Sequence, residues 1–365
     1  MKVRIIRTAK ELMDVFDGNY SKEERDTLDY ILKISSVKLN ERVIELSKKH
    51  ESIAAQFLPS LQEASSMGLF HKIYKSRTHP VKGIDRGYLD RVTITPVMNC
   101  ETFCRYCFLT QAGFGASMSD KEIEDAVDYI DSNPDIRYVL ITGGDPLLNQ
   151  AKLERIVSGL STVNHIDSIR IGTRTLLFDP SKFNDRFFRM IKSAQNHGKR
   201  IEIGAHMNHP DEIDAETQEK LEEMHRHLVT VYTQTTLLRG INDDPETLLE
   251  LYRKVYRAGG EVYLLFHCDP INGMDHLRTT VSKGLEIKSR LADMTSGRLV
   301  PKYKVAKCEI GVDSDVLEIG ENHIWIETPY SIANLKKIIE GYSPLEPVEK
   351  VSKRGRLIIK YMGKW

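Results

Sequence analysis

The feature that most constrains this chain is a regular alternation of short β-rich runs with amphipathic helical stretches between residues 92 and 294. The β-rich runs are VTITPV at 92–97, YVLITGG at 138–144, IDSIRIGT at 166–173, RIEIGAH at 200–206, LVTVYTQ at 228–234 and EVYLLFH at 261–267. Helical patterns follow them at 119–132, 150–161, 181–197, 214–227, 244–260 and 280–294. Strands separated by helices pair in parallel through right-handed crossovers, so the six units predict an α/β fold built on a parallel sheet. Periodicity leaves a barrel and an open doubly wound sheet both available. In either, ligands gather beyond the carboxyl ends of the strands.

Residues 1–75 read as an N-terminal helical cap. SKEERDTLDYILKISS opens on Ser21 with Glu24 three positions later, the arrangement of a capping box. The alternating core occupies 76–296. Residues 297–365 form a closing or lid segment, with strand-like VLEIG and HIWIET, a helical ANLKKIIEGY and a strand-like RLIIKYM.

Composition narrows the function classes. Apolar residues at 41% and charged residues at 28% are ordinary globular usage, enough for a core without staples. Lys+Arg and Asp+Glu balance at 52 each, which removes the basic footprint of a nucleic-acid or membrane-surface binder. The N-terminus lacks an apolar signal region and no long apolar window occurs, so a cytoplasmic protein is expected. Of five cysteines, three fall within residues 100–107, which argues for metal or redox chemistry over a disulfide framework.

Those three, in NCETFCRYCF, give Cys100, Cys104 and Cys107 a C-x3-C-x2-C spacing directly after the first core strand. Three thiolates on a four-iron cubane leave one iron open to a ligand, much as catalytic zinc keeps an open position. The blander alternative is a zinc site with a histidine, but no second C-x2-C or H-x3-H pair stands nearby. After the second strand comes Thr142-Gly143-Gly144-Asp145, which alone would be a turn, since glycine supplies positive φ at any strand end. His206 and Gln234 end later strands, and as lone residues they are satisfied core polars as readily as ligands.

The cysteine motif, with Tyr106 before its last cysteine, resembles the signature of the radical S-adenosylmethionine (radical SAM) superfamily. That resemblance implies a partial (β/α)6 TIM barrel with the helical cap and a small C-terminal α/β extension. It implies a [4Fe–4S] cluster on Cys100, Cys104 and Cys107, with S-adenosylmethionine on the free iron and its amino group met by residues 142–145. It further implies reductive cleavage to a 5′-deoxyadenosyl radical, fed by a donor such as flavodoxin or ferredoxin.

From about residue 80 to 300 the chain is similar to lysine 2,3-aminomutase and its relatives, through TGGDPLL, IRIGTRT, HMNHPDEI, TQTTLLRGIND, FHCDPINGMDHLRTTVSKG and TSGRLVP. The resemblance adds Tyr106, Arg174, His206 and Gln234 to the cofactor pocket and assigns Asp269 to a substrate ammonium, whose second acidic partner falls on Ala306. It also exposes departures. The relatives hold pyridoxal phosphate (PLP) on a lysine in PGGGGK; here the stretch reads VPKYKVAKCEIGVDSD and the lysine position falls on Asp313. Basic residues expected after the third cysteine are Phe108, Leu109, Thr110 and Gln111, and a phosphate-binding arginine is Gly87.

PLP is therefore expected to be lost, with Lys302, Lys304 and Lys307, or Arg86 and Arg91, as the places where a displaced site would appear. Cys308, in the altered loop, is a candidate hydrogen-atom donor, against the reading of a small buried hydrophobe. The expected activity is hydrogen abstraction from a small molecule, an amino acid or derivative, leading to epimerisation, dehydrogenation or rearrangement. The rivals are a PLP-dependent 2,3-aminomutase with a displaced lysine and a noncatalytic metal-binding scaffold. The sequence leaves the oligomeric state open.

Overall fold

The structure is a computed structural model and describes residues 2–65, 80–107, 109, 115–271, 273–306, 313–320, 323–338 and 348–361. At the N-terminus β1 (Val3–Ile6) is followed by α1 (Ala9–Phe16) and α2 (Lys22–Ile34), then β2 (Val37–Asn40), α3 (Glu41–Lys49) and α4 (Glu51–Phe57). The capping box of α2 is formed: Ser21 Oγ accepts from the Glu24 amide at 3.2 Å while the Glu24 carboxylate accepts from the Ser21 amide at 2.8 Å. The expected helical cap also contains strands, because β1 and β2 pair antiparallel. At four residues each they are too short for period-two alternation to register. The module has its own core of Ile6, Leu28, Val37, Leu39, Val43, Ile53 and Phe57, which continues into Leu177 and Phe178 of the central domain.

The central sheet begins with β3 (Ile84–Asp85) antiparallel to β4 (Arg91–Val97). β5 (Tyr138–Gly143), β6 (Ser168–Thr173), β7 (Arg200–His206), β8 (Thr230–Leu237) and β9 (Glu261–His267) then add in parallel order. The crossovers contain α5 (Asp120–Asp131), α6 (Gln150–Thr162), α7 (Asp185–Asn196), α8 (Ala215–Arg226), α9 (Pro245–Arg257) and α10 (Val281–Met294). The six β/α units stand where the alternation predicts them. A seventh parallel strand, β10 (Lys302–Ala306), pairs with β9.

Alternation along each strand sorts the two faces. Val92, Ile94, Val139, Ile141, Ile169, Ile171, Ile201 and Ile203 are buried in the main core, each gaining on the order of 2 kcal/mol from leaving water. The intervening Thr93, Thr95, Leu140, Thr142, Ser168, Arg170 and Glu202 line a single cavity, so the sheet is rolled with a mixed polar face inside.

Beyond β10 the sheet continues antiparallel through β11 (Asp313–Ile319), β12 (Ile324–Glu327) and, after α11 (Ile332–Ile338), β13 (Val348–Val351) and β14 (Leu357–Tyr361), in the order β10-β11-β12-β14-β13. Its edges are β3 and β13, and among the described residues no ladder joins them. Side chains bridge the gap instead: the Tyr330 hydroxyl donates to the Gly87 carbonyl, and its ring lies 6.4 Å from that of Tyr88, beside β3.

Candidate active site

β4 delivers the chain to the cysteine loop and β5 delivers it to the glycine turn, and the two are pressed together. The Gly144 amide donates to Val97 O at 2.8 Å and the Asp145 amide to Asn99 O at 2.9 Å. A Cβ on residue 144 would lie 2.1 Å from Asn99 O, and Gly143 has φ +118°, so both positions require glycine. The Asp145 carboxylate is buried and faces inward to the protein, accepting from Thr173 Oγ1 at 2.8 Å, the Arg174 amide at 3.0 Å and the Leu147 amide at 3.0 Å. Asp145 therefore shapes the turn, while Thr142 and Gly143 line the cavity.

The N-terminal module grips the other side of the cysteine loop. The Phe103 amide donates to Lys38 O at 2.9 Å and the Arg105 amide to Gln56 O at 2.8 Å. Asn40 Nδ2 reaches Glu101 at 3.3 Å and Phe178 O at 2.8 Å. The Arg105 guanidinium pairs with Glu63 and donates to Ser35 O at 2.9 Å.

Burial pushes the Cys100 thiol well up, with the charges of Asp145, Cys107 and Cys104 adding and Lys38 opposing. Three thiols repel one another as thiolates at one loop, and a cationic iron–sulfur core removes that repulsion. The donor set therefore fits a [4Fe–4S] cluster. Among the described residues no group of three or more His, Cys, Asp or Glu side chains is gathered for a single metal ion.

Tyr106, Arg174 and His206 come together in one buried network. Arg174 Nη1 donates to Cys104 Sγ at 2.9 Å and to the Tyr106 hydroxyl, while Nη2 donates to Gln56 Oε1 at 2.6 Å and Glu212 Oε1 at 3.1 Å. Burial works against the Arg174 charge, but Cys104, Tyr106 and Glu212 outweigh it and hold the guanidinium ionised. Tyr106 also meets His206 Nε2 at 2.9 Å and Asn208 Nδ2 at 2.7 Å. Burial, aided by Arg174, pulls His206 down to about 3, so its imidazole is neutral.

Below this network the cavity measures about 790 Å³, within the range of small-molecule sites. Met98 and Leu109, which flank the cysteines, form part of its wall, as do Gln234 and Asp313. Gln234 lies across Gly204, where a Cβ would sit 2.7 Å from its amide oxygen. Arg170 Nε donates to Glu202 at 2.9 Å and its guanidinium lies 4.9 Å from the Tyr232 ring. Beyond the end of β9, burial raises Asp269 to about 7, with Arg278 opposing and Asp313 adding to the rise. Asp313, a residue from the altered loop sequence, is thus an electrostatic neighbour of Asp269.

PLP would need a lysine for its Schiff base. The described cavity wall contains Arg91 and Arg170 but no lysine. Lys304 pairs with Asp315 at 2.6 Å and Lys302 lies 5.2 Å from the Tyr263 ring. Arg86 is engaged by Leu89 O at 2.7 Å and Tyr129 at 3.3 Å, and Arg91 stacks 4.0 Å from Tyr88. Phe108, Thr110, Gln111, Lys307 and Cys308 lie outside the described residues.

Sequence reasoning missed Lys38, Gln56, Glu212 and the Arg170–Glu202 pair. Arg170 and Glu202 had a signal: each is a charge flanked by isoleucines in a strand otherwise apolar at alternate positions, which marks an inward polar face. Lys38, Gln56 and Glu212 had none, because their partners are remote in sequence.

A family model, the Radical SAM superfamily, matches residues 94–252. A putative L-lysine 2,3-aminomutase of Aquifex aeolicus (strain VF5) is 38% identical over 229 residues, covering 62% of this chain and 61% of its own. An L-lysine 2,3-aminomutase of Fusobacterium nucleatum is 34% identical over 313 residues, covering 83% and 72%. A glutamate 2,3-aminomutase of Clostridioides difficile is 36% identical over 232 residues, covering 62% and 54%. The chain thus spans less than two thirds of the Aquifex and Clostridioides relatives. Among the described residues no helix is long and apolar enough to cross a membrane.

Proposed function

The chain belongs to the lysine 2,3-aminomutase-like family of the radical SAM superfamily, and on that premise we propose that it abstracts a hydrogen atom from a small molecule held in the rolled sheet, without PLP. The observation that carries this reading is the continuity of the cavity with the cysteine loop, through Met98 and Leu109. Bound at that loop, the [4Fe–4S] cluster and S-adenosylmethionine supply a 5′-deoxyadenosyl radical by reductive cleavage of the sulfonium.

The protein's own residues do the rest. Cys100, Cys104 and Cys107 hold the cluster, and the backbone at Thr142 and Gly143 offers polar groups beside it. Tyr106 and neutral His206 form a buried hydrogen-bonded pair beside the cysteine loop without adding a titrating proton. Gln234, Thr142 and the Arg170–Glu202 pair present hydrogen-bonding groups to a polar substrate. Cys308 remains the candidate thiol for returning a hydrogen atom. A small amino acid or derivative suits the cavity, and the net change is an epimerisation, dehydrogenation or rearrangement. We place the protein in the cytoplasm, drawing electrons from a donor of the flavodoxin or ferredoxin class.

The PLP-free reading is supported by Asp313 in the cavity wall and by the ion pair that occupies Lys304. The test is anaerobic reconstitution with iron and sulfide, then dithionite and S-adenosylmethionine. The wild type should form 5′-deoxyadenosine and the Cys100→Ala, Cys104→Ala and Cys107→Ala variants should not. Unchanged cleavage in the variants would overturn the reading. A lysine-linked adduct after borohydride reduction in the presence of PLP would overturn its second half.

A further inference from the structure

The cysteine loop is flanked by two cations that lie outside the C-x3-C-x2-C motif itself. On one side Lys38, the second residue of β2 in the N-terminal module, reaches out of its own sheet. Its ammonium donates to Cys100 O at 2.5 Å and to Asn99 Oδ1 at 2.9 Å, and it lies 4.9 Å from the centre of the Phe103 ring. The same Asn99 oxygen accepts from the Cys100 amide at 2.9 Å, so one ammonium ties the side chain and backbone on either side of the first cysteine. On the other side Arg174, fixed by Gln56 and Glu212, directs Nη1 at Cys104 Sγ from 2.9 Å. Lys38 comes from outside the barrel and Arg174 from the end of β6, so the two positive charges approach the loop from different elements.

We propose that Lys38 and Arg174 are positioning residues for the cluster, holding the cysteine loop and raising the potential at which the cluster accepts one electron from its donor. The physical ground is the charge change on reduction. A cubane held by three thiolates gains one negative charge when it takes up an electron, and no bond in the protein forms or breaks. Fixed positive charge and N–H groups directed at the sulfurs stabilise that added charge, and both are recognised determinants of cluster potential. Lys38 is only half-buried, so its field is partly screened, whereas Arg174 is 6% exposed and acts through a drier path. The opposing charges acting on the Lys38 ammonium are those of Cys100 and then Glu101, whose carboxylate pairs with Lys182 at 2.7 Å.

The inference rests on the reading of a [4Fe–4S] cluster at Cys100, Cys104 and Cys107. The experiment is an anaerobic redox titration of reconstituted full-length protein, followed by the EPR signal of the reduced cluster, with iron and sulfide content measured alongside. Lys38→Met should reduce the cluster fraction reduced at a fixed potential by on the order of tenfold, a fall of about 59 mV in a one-electron midpoint. Lys38→Arg should restore the wild-type midpoint, and Glu101→Gln should move it the opposite way. A role limited to packing would move iron content but not the midpoint of the clusters that form. If Lys38→Met fails to load, Glu101→Gln decides, and no rise in its midpoint overturns the inference. Unshifted midpoints in loaded variants overturn it too, while the wild-type titration still stands as evidence for the cluster. A wild type with no reducible [4Fe–4S] signal instead overturns the reading on which the inference rests.

Discussion

Arg174 and Glu212 form a salt bridge at 3.1 Å in which both side chains are almost completely removed from solvent, at 6% and 1% exposure. Breaking a buried pair by removing one partner leaves the other charge uncompensated, which typically costs about 3–5 kcal/mol. Arg174→Met should therefore lower unfolding stability by roughly that amount in urea denaturation, with the double variant Arg174→Met/Glu212→Gln recovering part of it. A loss near zero in the single variant would mean that the pair is solvated in solution.

His267 gives the molecule an acid limit. Its Nδ1 meets the Tyr303 hydroxyl at 2.9 Å, and burial, helped by Arg278, pulls its pKa down to about 3. The unfolded chain takes up a proton near the usual histidine value of about 6.5 and the folded chain does not. Its contribution to stability is therefore complete above that pH and falls as pH drops toward 3, by up to about 1.4 kcal/mol per unit. His267→Gln should flatten the stability profile between roughly pH 6.5 and 4. An equally steep decline in the variant would assign the acid sensitivity to other groups.

Gly144→Ala tests the contact between the glycine turn and the cysteine loop. The new methyl would stand 2.1 Å from Asn99 O and 2.4 Å from Asn99 N, so the two loops must part. Iron incorporation on reconstitution should fall several-fold while far-ultraviolet dichroism stays native. Gly297→Ala, where a Cβ meets nothing within 4 Å, is the matched control and should load normally. Normal iron content in Gly144→Ala would show that the contact yields without consequence for the cysteines.

Asp313 should influence the titration of Asp269. Burial is the main cause that holds Asp269 at about 7 and the neighbouring Asp313 carboxylate adds to it, so Asp313→Asn should lower it. At pH 7 the wild type would have Asp269 about half protonated and the variant would have it more ionised. Carboxyl infrared bands across a pH series read this directly, and an unmoved Asp269 would refute the coupling.

The parallel core was legible because each of its strands and helices satisfies a local rule. The Ser21–Glu24 box starts α2 where the pattern says, and alternating isoleucines announce β6 and β7. β10 was not legible in the same way. Lys302–Ala306 alternates charge and apolar residues over only five positions, in a stretch that reads most easily as a substituted cofactor loop. Pairing with β9 makes it a strand, and that is a tertiary decision. At the site, the cysteine spacing and the glycine turn were readable because both are short-range. Tyr106, Arg174 and His206 could be nominated but not joined, since their connection passes through Gln56 and Glu212, far away in the chain.

The contact between Tyr330 and Gly87 spans 243 positions, and this imposes an order on assembly. A chain emerging from its N-terminus has produced the whole cysteine loop, the glycine turn and seven parallel strands while the residue that spans the gap between the sheet edges is still unmade. Long-range contacts of this kind are also the slowest to form. The three thiols and the glycine turn are thus all synthesised before Tyr330, the residue whose hydroxyl ties the far end of the sheet back to Gly87.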